Sequence, residues 1–225
     1  ATTEIYTLSL HDALPICRTR NLMLYDRVEQ VFREDAELAE AYRQRQERLR
    51  QVQDFYRIRL EHAIESSQVI SSRHAQSDES VFREEWDFSI EIIRMIDAQH
   101  HERCRNVHVD FEAKWRPYER DSIARHRDEL TVTLKDCAAL AIAGGHVAVL
   151  LNRLKVLHIA SLVGDRPVLA WSAGAMAISE QVVLFHDAPP QGPGIVEILD
   201  DGLGLVPRVV PLPHWKRRLR FDDPD

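Results

Sequence analysis

This chain of 225 residues has few cysteines, no long apolar run and no excess of positive charge. Each of these absences argues against a class of protein. The three cysteines, Cys17, Cys104 and Cys137, form no CxxC pair, so we expect no disulfide framework and a reducing, cytoplasmic location. No apolar run approaches the roughly 18 residues that a membrane-spanning helix needs, so we expect no membrane partner. The net charge of -7 disfavours a nucleic-acid partner.

The first sixteen residues, ATTEIYTLSLHDALPI, resemble the in-frame translation of a short-read sequencing adapter. We therefore leave residues 1–16 out of the fold prediction as an artefact. Residues 17–225 suffice for one large domain or for a domain with an insertion. We expect them to be a fragment that lacks the natural beginning and end of its domain.

The composition changes sharply near residue 136, which indicates two structural modules. Residues 26–136 are highly charged and nearly free of glycine, and their apolar side chains recur at helical spacing. One helix is predicted to start at Asp35, a second near Asp78 or Ser80, and a third after Pro117, because these residue types cap or break helices. We predict a long helical insertion, folded as an antiparallel hairpin.

Residues 137–225 alternate between strand-like apolar runs and a helical segment, which predicts a parallel sheet covered by helices. The runs at 137–143, 168–171, 181–185 and 208–212 are predicted strands, and their almost continuous apolar character favours burial on both faces. Residues 17–25 are predicted to hold a remnant strand of the same α/β domain. We therefore expect residues 137–225 to be its catalytic half.

Three short motifs follow predicted strands, at the edge where open parallel sheets bind their ligands. They occupy residues 144–146, 171–175 and 213–215. In the second motif an apolar strand leads directly into Ser172, and small residues follow, as a nucleophile on a strained turn requires. Ser172 is therefore the predicted nucleophile.

A serine nucleophile needs a base that takes its proton and an acid that orients this base. His214 is the predicted base, and Asp187, just past the predicted strand 181–185, is the favoured acid. The sequence leaves four competing side chains open: Glu180, Glu197, Asp200 and His186. The predicted oxyanion hole uses the backbone N–H groups of Gly144, Gly145 and Ala173.

The order of these motifs resembles the serine peptidase family of dipeptidase E and cyanophycinase: GGH, a helix, AWSAGA, a strand, an acidic loop residue and PHW. The resemblance implies the class I glutamine amidotransferase-like fold, a flavodoxin-like three-layer α/β sandwich with a parallel sheet. The helical hairpin is then an insertion, and both ends of the sandwich are truncated. The resemblance also implies Ser172 as the nucleophile, His214 as the base and Asp187 as the acid.

Two residues depart from the family pattern. Ala170 stands where the nucleophile turn usually has glycine, and His146 follows the glycine pair where dipeptidase-like members carry Asn or Asp. A preference for aspartyl substrates is therefore not implied. We predict a hydrolase that cleaves an amide bond of a small peptide or peptide-like substrate through an acyl-serine, without a metal or organic cofactor. The predicted substrate contacts are His146, Trp171 and His186.

Other interpretations use the same sequence. The residues His100, Cys104 and His108 share a helical face at metal-ligand spacing, although their apolar neighbours favour core packing. A glutamine amidotransferase is disfavoured, because that chemistry uses cysteine where this chain has Ser172. The charged stretch 43–59 is either a solvated helix face or a surface for a partner or a homodimer. In that last case the protein would be a catalytically inactive fold that binds other molecules through its hairpin.

Overall fold

The computed structural model describes residues 18–185 and 196–213. Helices account for 68% of these residues, which leaves little of the chain for sheets. The α-helices are α1 (Leu24–Glu34), α2 (Ala36–Ser72), α3 (Glu79–Trp115), α4 (Asp121–Lys135), α5 (Val147–Val156), α6 (Ala160–Val163) and α7 (Ala173–Ile178). The strands are β1 (Leu140–Ile142), β2 (Val168–Ala170), β3 (Gln181–Phe185) and β4 (Val196–Asp201).

Residue contacts divide the chain into two compact units. The hairpin unit comprises Tyr42–Lys114 and Val183–Asp200, and so contains most of α2 and α3 together with nearly all of β4. The body unit comprises Ala1–Ala41, Trp115–Val182 and Asp201–Asp225. The body unit therefore contains β1, β2 and the short helices that follow them.

Asp35 and Asp78 cap the N-terminal ends of the long helices α2 and α3. Asp35 Oδ1 accepts the N–H of Leu38 at 3.0 Å, and Asp78 Oδ1 accepts the N–H of Ser80 at 2.9 Å. Such contacts satisfy N–H groups of the first helical turn, which have no partner within the helix. The two helices that the sequence predicts from these caps are confirmed.

Side chains of the hairpin unit show that α2 and α3 run antiparallel. The Tyr56 hydroxyl donates a hydrogen bond to Asp97 Oδ1 at 2.7 Å, and the Tyr42 ring lies 4.7 Å from the Phe111 ring, centroid to centroid. Increasing residue numbers on α2 thus meet decreasing numbers on α3. Burial raises the pKa of Asp97, whose carboxyl lies between the helices. The predicted helical hairpin is confirmed.

The core of the body unit lies between α1, α4 and α5. Each helix turns one apolar face inward, because its buried residues recur every three or four positions. These residues are Val28, Val31, Ile123, Leu130, Leu134, Leu150, Leu151 and Leu154. Burying a side chain of this size contributes about 1.5–3 kcal/mol, so this cluster is a main source of the unit's stability.

Ion pairs connect the start of α4 to the junction of α1 and α2. Arg120 donates to both carboxylate oxygens of Asp35, at 2.6 and 2.8 Å, and this bidentate contact lowers the pKa of Asp35. Arg125 pairs with Glu34 nearby. These residues line a polar cleft of about 510 Å³. Since both arginines are already paired with carboxylates, the cleft is explained as a structural ion-pair cluster.

Strands β1 and β2 pair in parallel, with Leu140 opposite Val168 and Ile142 opposite Ala170. Parallel neighbours need a crossover connection, and here α5 and α6 supply it. The carbonyl of Ile142 also accepts the N–H of Trp171 at 3.2 Å, so the pairing continues past the end of β2. The predicted strand, helix and strand in this stretch are confirmed.

The predicted flavodoxin-like three-layer α/β sandwich is wrong. The described residues form two sheets of only two strands each, β1–β2 and β3–β4, whereas a sandwich needs a wide parallel sheet covered on both faces. Leu169 is 57% exposed and Ala141 is also exposed, so β1 and β2 bury one face only. Their apolar runs therefore do not mark strands covered by helices on both sides.

Two of the expected strands are also not formed. Residues 18–23 lie outside any strand, because Asn21 Oδ1 accepts the N–H of Met23 at 2.9 Å and Met23 turns the chain with φ 52° into α1. Residues 208–212 likewise form no strand. Prolines at 207, 211 and 213 lack the N–H groups that a strand ladder requires.

Within the described ranges, no helix is both long enough and apolar enough to cross a membrane. Cys104 is buried and Cys137 is half-buried.

Candidate active site

Ser172 occupies a strained turn between β2 and α7. Its backbone has φ 54° and ψ -127°, a conformation that costs a residue with a Cβ about 1–3 kcal/mol. Both flanks hold it there, since Trp171 continues the pairing with β1 and the N–H of Met176 bonds to the Ser172 carbonyl at 3.2 Å. A sharp turn from a strand into a helix exposes the serine hydroxyl, and a nucleophile must be exposed in this way to reach a substrate.

Gly174 explains the small residues after Ser172. A Cβ at Gly174 would lie 2.2 Å from the Ile142 carbonyl oxygen and 2.7 Å from that of Ala143. The first turn of α7 therefore packs directly on the end of β1, at a distance that only glycine permits. This close packing fixes the direction in which Ser172 leaves its strand.

The glycine loop between β1 and α5 lies against the Ser172 side chain. A Cβ at Gly144 would be 2.9 Å from Ser172 Cβ, 3.0 Å from Ser172 Oγ and 3.7 Å from the Ala173 nitrogen. Gly145, the next residue, has φ 144°, which favours glycine. The structure thus brings Gly144 and Ala173 of the predicted oxyanion hole to Ser172. A substrate carbonyl could approach the loop closely, because no side chain projects from it.

The other predicted site residues have different positions. His146 is exposed at the start of α5, and Trp171 is partly exposed between β2 and Ser172. The predicted base His214, the predicted acid Asp187 and the predicted substrate contact His186 lie outside the described residues. Their roles stay predictions from the sequence.

The competing carboxylates have partners of their own. Glu180 is exposed and accepts the N–H of Arg208 at 3.2 Å. In the hairpin unit, Glu197 is buried with the guanidinium of Arg57, and Asp200 accepts a hydrogen bond from His108 Nε2 at 3.0 Å. These contacts give the three acids structural roles, and the assignment of the orienting acid to Asp187 stays a prediction from the sequence.

The histidine and cysteine stripe of α3 packs in the hairpin core. His100 is fully buried and stacks on the Tyr56 ring at 3.9 Å between centroids, and this burial lowers the pKa of His100. Cys104 Sγ lies 3.6 Å from His100 Nε2, while His108 binds Asp200. Among the described residues, no group of three or more His, Cys, Asp or Glu side chains is arranged to hold a metal ion.

A polar network that was not predicted from the sequence holds β4 in the hairpin unit. Arg57 donates to Glu197 at 2.9 and 3.1 Å, and Gln53 Nε2 donates to the same carboxylate at 3.0 Å. The Tyr56 hydroxyl accepts the N–H of Ile198 at 3.2 Å. The available signal was the i, i+4 pair of Gln53 and Arg57 beside the buried stripe of α2.

Comparisons of this chain with models of protein families, with curated proteins and with solved structures find no match.

Proposed function

We propose that this protein is a serine hydrolase in which Ser172 attacks the amide carbonyl of a small peptide or peptide-like substrate. The observation that carries the proposal is the φ of 54° at Ser172, combined with the glycine loop against its hydroxyl. Backbone strain of this kind persists where the surrounding structure enforces it, and it is concentrated at active sites. A serine that merely starts a helix needs no such conformation.

In the first step, His214 takes the proton from Ser172 Oγ while this oxygen bonds to the substrate carbonyl carbon. Asp187 orients the imidazole and stabilises its charged form. The carbonyl oxygen becomes an oxyanion, which the N–H groups of Ala173 and the glycine loop at 144–145 stabilise. Loss of one such donor typically lowers kcat by about 10²–10³-fold.

The tetrahedral intermediate then loses its amine. The C–N bond breaks, the proton on His214 passes to the leaving nitrogen, and an acyl-serine ester remains on Ser172. Water gives a proton to His214 as its oxygen attacks the ester carbon. The bond between this carbon and Ser172 Oγ then breaks, His214 returns the proton to Ser172 Oγ, and the carboxylic acid is released. The reaction needs no metal or organic cofactor.

The substrate is proposed to bind at the surface beside the turn at Ser172. His146 and Trp171 are assigned to substrate contact, together with His186. The resemblance of the motifs to dipeptidase E and cyanophycinase supports a small peptide, although the sandwich fold of that family is not formed here. We place the activity in the cytoplasm, since a chain with three scattered cysteines and no CxxC pair suits a reducing compartment.

A second candidate function is binding by a catalytically inactive fold. It is supported by large apolar side chains on the hairpin that are mostly exposed: Phe55 at 65%, Phe88 at 59% and Met95 at 62%. Such side chains mark interaction surfaces when they form a patch.

A hydrolysis assay distinguishes the hydrolase function from the binding function. The full chain is incubated with a library of dipeptides and blocked peptides, and the products are measured by mass spectrometry. We expect Ser172→Ala to lose at least about 10³-fold in turnover, while Ser71→Ala, at an exposed helical serine, matches the wild type. Equal turnover by Ser172→Ala would exclude the serine mechanism. If the wild type cleaves nothing in the library, the binding function is favoured.

A further inference from the structure

An apolar stripe runs along the solvent face of α3. Val81, Phe88, Met95 and Val109 are 56–62% exposed and lie seven or fourteen residues apart, and the exposed Glu102 occupies the position between Met95 and Val109. Seven residues make nearly two helical turns, so side chains one heptad apart point only about 20° apart, and a left-handed supercoil keeps the whole stripe facing a second helix. The stripe from Val81 to Val109 is about 42 Å long at 1.5 Å per residue. This is long enough for an extended contact with a second helix.

The charges of the hairpin are divided between its two ends. The tip half, residues 60–97, has nine acidic and three basic residues, a net charge of -6. The base half of the helices, residues 42–59 and 98–114, has nine basic and five acidic residues, a net charge of +4. One of these positive charges, on Arg57, is paired with Glu197, and the base half of the helices stays positive without it.

We propose that the stripe on α3 binds a second copy of this chain in antiparallel orientation, to form a homodimer. An antiparallel copy places the acidic tip half of one hairpin beside the basic base half of the other, whereas a parallel copy places like charges together. The same surface meets itself in such a dimer, as two-fold symmetry requires. The dimer does not depend on the hydrolase proposal.

The stripe also defines the register. With the two-fold axis at Met95, residues whose numbers sum to about 190 lie opposite each other across the interface. Val81 then faces Val109 of the second copy, and Met95 faces its own counterpart. Glu84 faces Arg105 of the second copy. Both of these charged side chains are exposed in one chain, so they are accessible for pairing.

The first test measures the mass of the assembly and the position of its two-fold axis. Light scattering at about 100 µM protein is expected to give twice the chain mass of 26.0 kDa. In a background with Cys17→Ser and Cys137→Ser, Met95→Cys should form a disulfide between copies under mild oxidation. Val81→Cys is the matched control, because its two copies would lie about 42 Å apart, far beyond the roughly 7 Å limit between Cα atoms. A monomer, or equal cross-linking of both variants, would overturn the proposal.

The second test reverses a charge pair. Glu84→Arg alone should weaken the dimer about tenfold by sedimentation equilibrium, because two unfavourable pairs form in each dimer. Adding Arg105→Glu should restore wild-type association, since the pairs are then reversed but complementary. Circular dichroism confirms that each variant keeps its helices. If the double variant associates no more tightly than Glu84→Arg alone, the antiparallel register is wrong.

Discussion

The pair of Arg57 and Glu197 offers a test of the polar network that holds β4. The Glu197 side chain is completely buried, and two of its three described hydrogen bonds come from Arg57, at 2.9 and 3.1 Å. Arg57→Met removes two described hydrogen bonds and the adjacent positive charge from this buried carboxylate. Removing one partner from a buried pair costs about 3–5 kcal/mol, and the 39% exposure of Arg57 places this case near the lower value. We therefore expect a loss of about 3 kcal/mol.

A double-mutant cycle supplies the control. Thermal unfolding followed by circular dichroism should show a decrease in Tm of about 6–12 °C for Arg57→Met, given about 2–4 °C per kcal/mol in a chain of this size. Replacing Glu197 by Met in the same chain removes the buried charge, so the double variant should recover at least half of the loss. If Arg57→Met melts like the wild type, or if the effects of the two substitutions on Tm are additive, the pair does not stabilise β4 in this way.

Three further predictions concern other features of the chain. Ser172→Gly should abolish hydrolysis yet raise the free energy of unfolding by about 1 kcal/mol in calorimetry, because glycine adopts φ 54° without strain; a less stable variant would contradict this. Gly174→Ala should lower the urea midpoint by an amount equivalent to about 1–3 kcal/mol, since its Cβ would meet the Ile142 carbonyl at 2.2 Å. Burial lowers the pKa of His100, so below about pH 6.5 the unfolded chain binds a proton more readily than the folded one. The stability of the wild type, measured in urea, should therefore fall more between about pH 7 and pH 5 than that of His100→Gln.

Local signals in the sequence predicted the two long helices, α2 and α3, whereas α1 was not predicted. The caps at Asp35 and Asp78 and the helical spacing of apolar residues depend on contacts within a few residues, and these features are formed. The turn at Ser172 was predicted for the same reason, because a strand, a serine and small residues occur consecutively. The geometry of Gly144 and Gly174 beside it agrees with that local pattern.

The predictions failed where they depended on distant partners. An apolar run such as 168–171 has the same sequence pattern whether its strand is covered on both faces or, as here, leaves Leu169 exposed. The number of strands in a sheet is likewise decided by which segments meet, and here each sheet has two. The network of Gln53, Arg57 and Glu197 was missed because its members lie about 140 residues apart in sequence. No periodicity within one helix identifies such a partner.

A labelled fluorophosphonate shows whether Ser172 is an activated nucleophile. This reagent bonds to serine hydroxyls that a base has activated. The full wild-type chain should gain the mass of one label, mapped to Ser172 by peptide mass spectrometry, and His214→Ala should react much more slowly. Ser172→Ala should gain none. Equal labelling of Ser172→Ala, or a label on another residue of the wild type, would contradict the account.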